Sequence, residues 1–467
     1  MFLLTLLALL ALALLAYTAH QHYTSPLARI PGPALAKLTN IYRAVLAARG
    51  TQHREYMKLH RKYGKVVRVA PGVVSIADPD AYREIYKAGN KYPKAEFYGA
   101  IQGDRSFDLF GQQDERVHSE QRKLVARAYS MDSMVKLEPA VEQTLLKVLK
   151  KLDALCGREI DLGAWLQLYA FDVIGAISFS RDFGYVDAGT DAGTFRRVRA
   201  ALSSAAWVAY VPWFLDIHQR LRPVIGNWLA INDRNEYFHQ VASKEVEARK
   251  GREGDERDVA TQLLTVQREK PQLTTKDISF MMTSNVVAGS DTTSTSLRAI
   301  FFLLLSHPDK LARLMVELEE KQASGELSEV VTAAQAEACP YLQAVMWEAV
   351  RMYPVFAALA DRKVPTRGLT VDGHYLPADT TVGCHSWVIS RLPEVWGPDA
   401  DEFRPERWLD KENYGFLQRY MFSFGGGSRT CIGKNIAWLE MEKLIPTLLM
   451  RYDFHMAPGT KLLEESG

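Results

Sequence analysis

The stretch that decides the fold is Phe424-Gly425-Gly426-Gly427-Ser428-Arg429-Thr430-Cys431-Ile432-Gly433. Its glycines let the backbone turn tightly and come close to a flat ligand. Cys431 precedes a helix-forming run, and a helix N-terminus with its free N–H groups stabilises a thiolate and tunes its electron donation. Arg429 is placed to pair with an anionic group at the edge of the ligand. A lone cysteine is usually an inert small hydrophobe, but this order of residues favours a ligand-binding loop.

The same ten residues resemble the signature F-x-x-G-x-R-x-C-x-G of the cytochrome P-450 family of haem-thiolate monooxygenases. By this resemblance Cys431 is the axial ligand of the iron in haem b (iron protoporphyrin IX). Thiolate ligation would push electron density onto the iron and favour O–O cleavage. Arg429 would bind a haem propionate. The loop around the cysteine would contain the other family positions Phe424, Gly425 and Gly433.

A long helix is predicted at 274–306. Thr274 and Asp277 have the spacing of a capping box, and the helix should end before Pro308. A membrane span is excluded here because Asp291, Arg298 and a run of serines and threonines are too polar for lipid.

Within this helix Ala288 and Gly289 have small side chains or none, so that a cofactor could lie against the backbone on their face of the helix. Asp291 and Thr292 offer an acid and an alcohol as a proton route, and a hydroxyl that bonds the carbonyl four residues earlier can open the helix locally. Small residues also serve ordinary helix–helix contacts, an alternative that the motif alone leaves open. The family resemblance implies that Ala288 and Gly289 border the haem and that Asp291 and Thr292 deliver protons during oxygen activation.

A third motif is Glu348-Ala349-Val350-Arg351, on a helix expected between Pro340 and Pro354. Alone, Glu348 and Arg351 could form a surface ion pair worth a few tenths of a kcal/mol. They match the family's E-x-x-R motif, whose third member matches Arg407. The resemblance therefore implies a buried charge network that supports the haem loop.

Three further residues are carried over from the family. His118 and Arg122, four residues apart, match positions that lie against the haem propionates, and so does Arg362. The surrounding charges at 114–123 also fit a solvated amphipathic face. If the family assignment holds, loss of Arg122 or Arg362 weakens haem retention.

The composition excludes several classes of protein. The chain has 467 residues, 47% of them hydrophobic and 24% charged. Its net charge of only +2 gives no long-range electrostatic field that would attract nucleic acid. Its four cysteines, at 156, 339, 384 and 431, are too few and too scattered for a disulfide scaffold, a zinc site or an iron–sulfur site. Length alone suggests about three domains, but the motifs converge on one cofactor and favour one large domain.

Residues 1–19 are almost wholly apolar and long enough to cross the ~30 Å hydrocarbon core. A cleaved signal peptide is the alternative, but no basic residue precedes the run and Tyr17 spoils the small-residue cleavage pattern. Basic residues precede the first acid, Glu55, which places the rest of the chain on the cytosolic side. We expect a single-pass anchor in the endoplasmic reticulum membrane, followed by a Pro-rich hinge and linker at 20–40.

The remaining pattern predicts a mainly α fold with small β-sheets (α+β). The resemblance implies that this is the cytochrome P-450 fold, with a single haem-enclosing domain at 41–467. Two β regions are expected, a hairpin at 66–77 and a second region at 362–382 with Asp372-Gly373 as its turn. Helices are expected at 113–155, 159–182, 191–220, 227–250, 274–306, 308–323, 340–353 and 432–451.

The function implied is a membrane-anchored monooxygenase that takes electrons from an NADPH-dependent cytochrome reductase, activates O2 and oxidises a hydrophobic small molecule. Residues 61–71 and 403–409 resemble fungal members, especially pisatin-demethylase-like enzymes of specialised metabolism. The expected pocket residues are mostly aromatic or aliphatic. They are Phe97, Tyr98, Phe107, Leu109, Phe110, residues on the long helix before Ala288, and 355–359. Packing in the core would explain many of them equally well.

Two alternatives stay open on sequence. Family members usually continue into a β-hairpin that lines the pocket, whereas here only thirteen residues follow Phe454; the chain could therefore be a haem-binding protein without turnover. A haem-thiolate isomerase or dehydratase is the other alternative, although the intact Asp291-Thr292 pair argues against it, because such chemistry has less need of proton delivery to oxygen.

Overall fold

The computed structural model describes residues 2–89, 91–103, 105–229, 234–250 and 257–460. The C-terminal residues 461–467, on which the expectation of a missing hairpin rests in part, lie outside the described residues. The helices are α1 (Phe2–Ala19), α2 (Ala34–Leu38), α3 (Ile41–Ala48), α4 (Gln52–Tyr63), α5 (Pro79–Tyr86), α6 (Glu96–Gln102), α7 (Glu115–Val125), α8 (Met131–Val135), α9 (Glu138–Asp153), α10 (Leu162–Phe179), α11 (Tyr185–Ala188), α12 (Thr194–Val208), α13 (Pro212–Ile225), α14 (Arg234–Lys250), α15 (Val259–Glu269), α16 (Thr275–Ser306), α17 (Pro308–Ala323), α18 (Ala333–Glu337), α19 (Pro340–Met352), α20 (Ser386–Ile389), α21 (Pro393–Trp396), α22 (Lys411–Tyr420) and α23 (Lys434–Arg451). The strands are β1 (Val66–Ala70), β2 (Val73–Ile76), β3 (Arg362–Lys363), β4 (Leu369–Val371), β5 (His374–Leu376) and β6 (Thr381–Gly383). The prediction of a mainly helical fold with small sheets is confirmed.

The strands form two small sheets. In the first, the strand order is β1-β2-β6-β3, with β1 and β2 antiparallel, β2 and β6 parallel, and β6 and β3 antiparallel. The second is the hairpin of β4 and β5. Asp372 and Gly373 connect those strands with positive φ angles of 48° and 74°, the backbone that a tight two-residue hairpin turn requires. Both β regions therefore lie where the sequence predicts them.

Helix α16 runs through the centre of the body and packs against α10, α14, α19 and α23. The Thr274 hydroxyl accepts from the Asp277 backbone N–H, and the Asp277 carboxylate accepts from the Thr274 N–H, so the predicted capping box is present. The helix ends at Ser306, two residues before Pro308. The capping pattern and the proline thus set both ends of the helix that carries the second motif.

Other helical stretches are more divided than the pattern predicts. The region 113–155 forms three α-helices, since Ser130 caps a new helix and Pro139 occupies the first turn of the next. The region 191–220 divides between α12 and α13 because Pro212 begins a new helix. A proline lacks the N–H that would continue a preceding helix, so hydrophobic periodicity alone overestimated the lengths of these helices.

The N-terminal region consists of α1 followed by a packed segment. Among the described residues, one helix is long and apolar enough to cross a membrane, Leu162–Phe179, and 72% of it is buried inside the body. That helix, α10, is a core helix. In the segment predicted as a linker, Leu27 and Ile30 are buried and the Arg68 N–H donates to the Pro31 carbonyl oxygen at 2.7 Å. The second half of the predicted linker is therefore packed on β1.

Candidate active site

The cysteine loop joins α22 to α23 and is closed by its own backbone. The Cys431 N–H donates to the Phe424 carbonyl oxygen at 2.8 Å. Gly425 and Gly427 have φ angles of 73° and 60°. A Cβ at Gly427 would lie 2.3 Å from the Tyr86 carbonyl oxygen. The loop therefore needs glycine at position 427 for both its backbone conformation and its close approach to α5.

Cys431 lies one turn before α23 with an open side-chain surface. Although the Cys431 side chain keeps accessible surface, desolvation of the sulfur by the surrounding protein raises the pKa of its thiol. The backbone N–H groups of Gly433 and Lys434 and the positive charge of Arg122 oppose that rise in pKa. The N–H groups thus act on the sulfur as the sequence predicts, although desolvation outweighs them for the free thiol.

The second motif places two open side chains on a helix that is otherwise largely buried. Ala288 and Thr292, one turn apart on α16, are both exposed, whereas Ser290 and Thr293 are buried. The Thr292 hydroxyl donates to the Ala288 carbonyl oxygen at 2.7 Å, the back-bond expected from the sequence. The helix is continuous through this bond. One face of α16 therefore carries accessible surface at Ala288 and Thr292.

The other two residues of this motif face α10. A Cβ at Gly289 would lie 2.9 Å from the Ile174 side chain, so the missing side chain lets the two helices approach each other. The Asp291 carboxylate accepts a hydrogen bond from the Gln167 side chain at 3.2 Å. Asp291 and Thr292 therefore lie on adjacent faces of α16, and Gln167 is a partner that sequence reasoning missed.

Tyr129 connects the two motifs. Its hydroxyl donates to the Asn285 side-chain oxygen at 2.8 Å, one turn before Ala288 on α16. Its carbonyl oxygen accepts from the Asn435 side chain at 2.9 Å, at the start of α23 just after Cys431. The cysteine loop and the small-residue face of α16 are thus held in one hydrogen-bonded unit.

The residues predicted to bind propionates form one cationic cluster. Arg122 donates to the Thr430 carbonyl oxygen at 2.8 Å. Arg429 pairs with Glu115 at 2.8 Å and donates to the Gln112 carbonyl oxygen at 2.6 Å. The Arg362 guanidinium lies 5.3 Å from the ring centre of Tyr86 and 5.9 Å from that of Tyr98.

The charges of this cluster act on one another. Burial and then the charges of Arg429, Lys94, Arg122 and Arg362 lower the pKa of His118 to about 3. Burial and the charges of Arg362 and Arg429 likewise hold the pKa of Lys94 well below its ordinary value. Four basic residues therefore lie within electrostatic reach of a neutral His118.

Lys94 is a member of this cluster that the sequence did not single out. It is buried, its ammonium lies 4.2 Å from the Tyr98 ring centre and 4.8 Å from that of Phe110, and it donates to the Phe110 carbonyl oxygen. The signal available in the sequence was a lysine next to the aromatic residues of the expected pocket.

These features fit the haem that the sequence implies. Crowded, partly desolvated cations gain from an anionic ligand edge. The Nδ1 atom of His118 is buried without a hydrogen-bond partner. The open surfaces of Cys431, Ala288 and Thr292 leave a flat ligand access to the sulfur and to the thinned face of α16. The residues present thus match a planar ligand that carries carboxylates and takes a thiolate.

The third motif is a completely buried charge network. Glu348 and Arg351 have no exposed side-chain surface and pair at 2.7 Å, and Arg407 pairs with Glu348 at 2.9 Å. The Glu348 carboxylate also accepts from the Arg404 backbone N–H and the Trp408 indole N–H, each at 2.9 Å. Burial raises the pKa of Glu348, but the donors and charges of Arg351 and Arg407 bring it below its ordinary value. The predicted trio is brought together.

Four of the expected pocket residues form a series of aromatic contacts. Ring centres lie 5.3 Å apart for Phe97 and Tyr98, 5.4 Å apart for Tyr98 and Phe110, and 6.1 Å apart for Phe110 and Phe356. This aromatic series thus joins the loop before α7 to the segment after α19. Phe97, Tyr98 and Phe107 are buried, whereas Phe110 is 44% exposed and is therefore the member of this group most open to a ligand.

Comparison with known proteins agrees with this geometry. The family model for cytochrome P450 matches residues 31–466. The chain is 49% identical over 463 residues to the cytochrome P450 monooxygenase hepC of Aspergillus oryzae, covering 95% of this chain and 90% of that protein. It is 35% identical to the cytochrome P450 monooxygenase cicH of Emericella nidulans, covering 93% of this chain and 90% of that protein.

A third relative is longer. The cytochrome P450 monooxygenase mpaDE of Penicillium roqueforti is 37% identical over 453 residues, which cover 91% of this chain and 52% of that protein. A family match over almost the whole body, together with fungal relatives well above 30% identity, confirms the family resemblance. The chain belongs to the cytochrome P450 family and is a monooxygenase, an oxidoreductase of that family.

Proposed function

We propose that this chain is a haem-thiolate monooxygenase that takes electrons singly from an NADPH-dependent cytochrome reductase and inserts one oxygen atom into a hydrophobic small molecule. The observation that carries the proposal is the open Cys431 thiol in a loop whose N–H groups face the sulfur, joined through Tyr129 to the open face of α16. Haem bound by Cys431 would supply the reductive activation of O2.

The chain's own residues would anchor the cofactor and manage protons. Arg122, Arg362 and Arg429 provide the positive charge for the propionate edge. Lys94 lies beside them with its pKa held well below its ordinary value, and His118 offers an unpaired ring nitrogen. Thr292 presents its hydroxyl on the open face of α16, and the neighbouring Asp291 is the group that exchanges protons with solvent. Positioned acid–base groups of this kind contribute about 10²–10⁴-fold to a rate.

The role of Asp291 and Thr292 in proton delivery is tested by measuring which products form from O2 when an NADPH-dependent reductase supplies the electrons. Release of hydrogen peroxide and complete reduction to water differ in the NADPH consumed per O2, so the test does not require a known substrate. Thr292→Ala should divert O2 to peroxide, and Asp291→Asn should slow NADPH-driven O2 consumption about 100-fold. Thr293→Ala is the matched control, because Thr293 is buried. Unchanged stoichiometry and rate in both test variants would refute the proton role.

A cavity beside the cysteine loop supports the reductase as partner. It has a volume of about 650 Å³ and is lined by four cations and two acids, in addition to Phe424 and the loop glycines. A positively charged surface steers an acidic partner. The charged lining residues are Arg83, Lys87, Arg419, Lys434, Asp80 and Glu84.

This surface can be tested without touching the cofactor site. Lys87→Glu and Arg419→Glu, both at exposed positions, should slow reduction by the reductase and weaken its salt dependence. Reduction by dithionite should be unaffected. Equal rates with the reductase in the variants and the wild type would reject the surface.

The substrate class follows from the aromatic series that runs from Phe97 to Phe356, in which the exposed Phe110 ring suits a hydrophobic ligand. The similarity to several fungal monooxygenases favours a place in fungal specialised metabolism. Titration with hydrophobic metabolites, followed by the haem spectrum, identifies the compounds that enter.

Residues 1–19 are proposed as a single-pass anchor in the endoplasmic reticulum membrane, with 41–467 on the cytosolic side. Support comes from the apolar sequence, the helix α1 and the exposed side chains of Leu9, Leu12 and Leu15. Carbonate extraction of membranes that contain the full chain tests the anchor, since an integral protein stays in the pellet.

A further inference from the structure

The Asp291 side chain is held from outside its own helix. Gln167, a buried residue on α10, donates from its side-chain nitrogen to the Asp291 carboxylate at 3.2 Å. No family motif in the sequence includes this glutamine. The acid of the acid–alcohol pair is therefore oriented by a neighbouring helix.

Arg298 fixes which end of the glutamine amide faces Asp291. The Arg298 guanidinium donates to the Gln167 side-chain oxygen at 2.6 Å and to the Gly163 carbonyl oxygen at 2.9 Å. With its oxygen engaged by a cation, the amide can present only its NH2 group to the carboxylate. A Cβ at Gly163 would lie 3.2 Å from the Arg298 Nε atom, so the glycine leaves room for the guanidinium.

The electrostatic setting of Asp291 depends on the same residues. Burial raises the pKa of Asp291 above its ordinary value, and the charges of Arg298 and of Arg199 on α12 offset only part of that rise. Burial lowers the pKa of Arg298. The charge of Asp291, that of Asp161 at the start of α10 and Tyr353 after α19 oppose this decrease. Removal of Arg298 therefore takes away the larger of the two positive influences on the carboxyl group.

We propose that Gln167 and Arg298 are positioning residues for Asp291: Arg298 locks the Gln167 amide, and the locked amide holds the carboxylate beside Thr292. This inference rests on the proposed role of Asp291 in proton delivery. In this arrangement Gln167 on α10 holds Asp291 directly. Arg298, seven residues after Asp291 on α16, holds Gln167.

The direct test measures the titration of Asp291 rather than turnover. The haem-loaded full chain is titrated by infrared spectroscopy, and the protonated-carboxyl band that disappears in Asp291→Asn identifies Asp291. Gln167→Leu removes the N–H donor and Arg298→Gln removes the charge. Each change disfavours the ionised form, so the pKa of Asp291 should rise by about one unit and the band should appear at a higher pH. Titration at the wild-type pH in both variants overturns the inference.

A conservative variant separates charge from orientation. Arg298→Lys keeps the positive charge but lacks the planar fork that holds both Gly163 and Gln167. We expect its Asp291 band to titrate close to the wild-type pH, while NADPH-driven O2 consumption slows about tenfold because the carboxylate is less well placed. Ser178→Ala is the control on α10, since the Ser178 hydroxyl is buried without a partner. Wild-type O2 consumption in both Arg298→Lys and Gln167→Leu would contradict the positioning role.

The two proposals fail in different ways. If Asp291→Asn itself leaves O2 consumption unchanged, the proton role of Asp291 is wrong, whatever the infrared titration shows. If Asp291→Asn slows O2 consumption but the Gln167 and Arg298 variants change neither measurement, only the positioning role is wrong.

Discussion

The guanidinium of Arg122 donates to the carbonyl oxygen of Thr430 at 2.8 Å, one residue before Cys431. Arg122 lies on α7, whose sequence at 114–123 resembles an ordinary charged helix surface. The bond ties this helix to the cysteine loop across 308 residues of sequence. The same side chain brings a positive charge close to the Cys431 sulfur.

Arg122→Ala should weaken haem retention, because it removes a charge-assisted bond to the loop and one cation of the propionate cluster. A hydrogen bond to a charged group contributes about 2 kcal/mol. The haem-to-protein ratio after dialysis against apomyoglobin measures the loss. Arg116→Ala, on the exposed side of the same helix, should retain haem like the wild type, and equal retention in both variants would speak against the role of Arg122.

Arg362→Ala should also lower haem retention, since Arg362 is buried among Tyr86 and Tyr98 and contributes charge at His118. The same haem-transfer assay applies. Arg367→Ala serves as control, because that side chain lies five residues on and is 65% exposed. Normal haem occupancy in Arg362→Ala would remove it from the propionate site.

Glu348→Gln should destabilise the fold by about 3–5 kcal/mol, because it leaves Arg351 buried without a countercharge and Arg407 with only the longer pair to Asp399 at 3.5 Å. Urea unfolding followed by tryptophan fluorescence measures the change. Asp153→Asn breaks the exposed pair with Arg451 and should have little effect, as surface pairs usually do. Similar unfolding midpoints for the two variants would contradict a structural network around Glu348.

The same network predicts a pH dependence. The folded pKa of Glu348 lies below its ordinary value of 4.5, so its ionised form stabilises the fold fully above pH 4.5. That stabilisation is lost as the pH falls below 4.5 and through the folded pKa. The gap in unfolding free energy between wild type and Glu348→Gln should therefore narrow in acid. A gap that stays constant from pH 7 to the lowest pH at which the wild type is folded would exclude this linkage.

Gly427→Ala should impair assembly of the cysteine loop, since its Cβ would lie 2.3 Å from the Tyr86 carbonyl oxygen at a positive φ. We expect a lower melting temperature and reduced haem content. Gly415→Ala is the matched control, because this helical glycine has no heavy atom within 4 Å of its Cβ position. There, alanine should stabilise α22 by up to about 1 kcal/mol. Equal melting temperatures for the two variants would reject the steric argument.

The sequence identified the local motifs well because each has a short-range physical signature. The capping box at Thr274 and Asp277, the turn at Asp372-Gly373 and the glycine-rich loop before Cys431 are determined within a few residues. Their predicted structures are present. The back-bond from Thr292 to the Ala288 carbonyl belongs to the same class.

Partners that lie far apart in the sequence could not be predicted from such short-range patterns. Gln167 and Ile174 lie more than a hundred residues before the motif on α16, and no periodicity links them to Asp291 and Gly289. Glu115, the partner of Arg429, was one of many charges on an amphipathic helix. Such pairs depend on how the helices cross, which a single sequence does not contain.

The central claim is that Cys431 is the thiolate ligand of a haem, and the spectrum of the freshly prepared, reduced full chain with carbon monoxide tests it most directly. We predict the red-shifted Soret band of a thiolate-ligated haem, lost in Cys431→Ser. A band typical of imidazole ligation or of no protein ligand in the wild type, or an unaltered thiolate band in Cys431→Ser, would contradict the account.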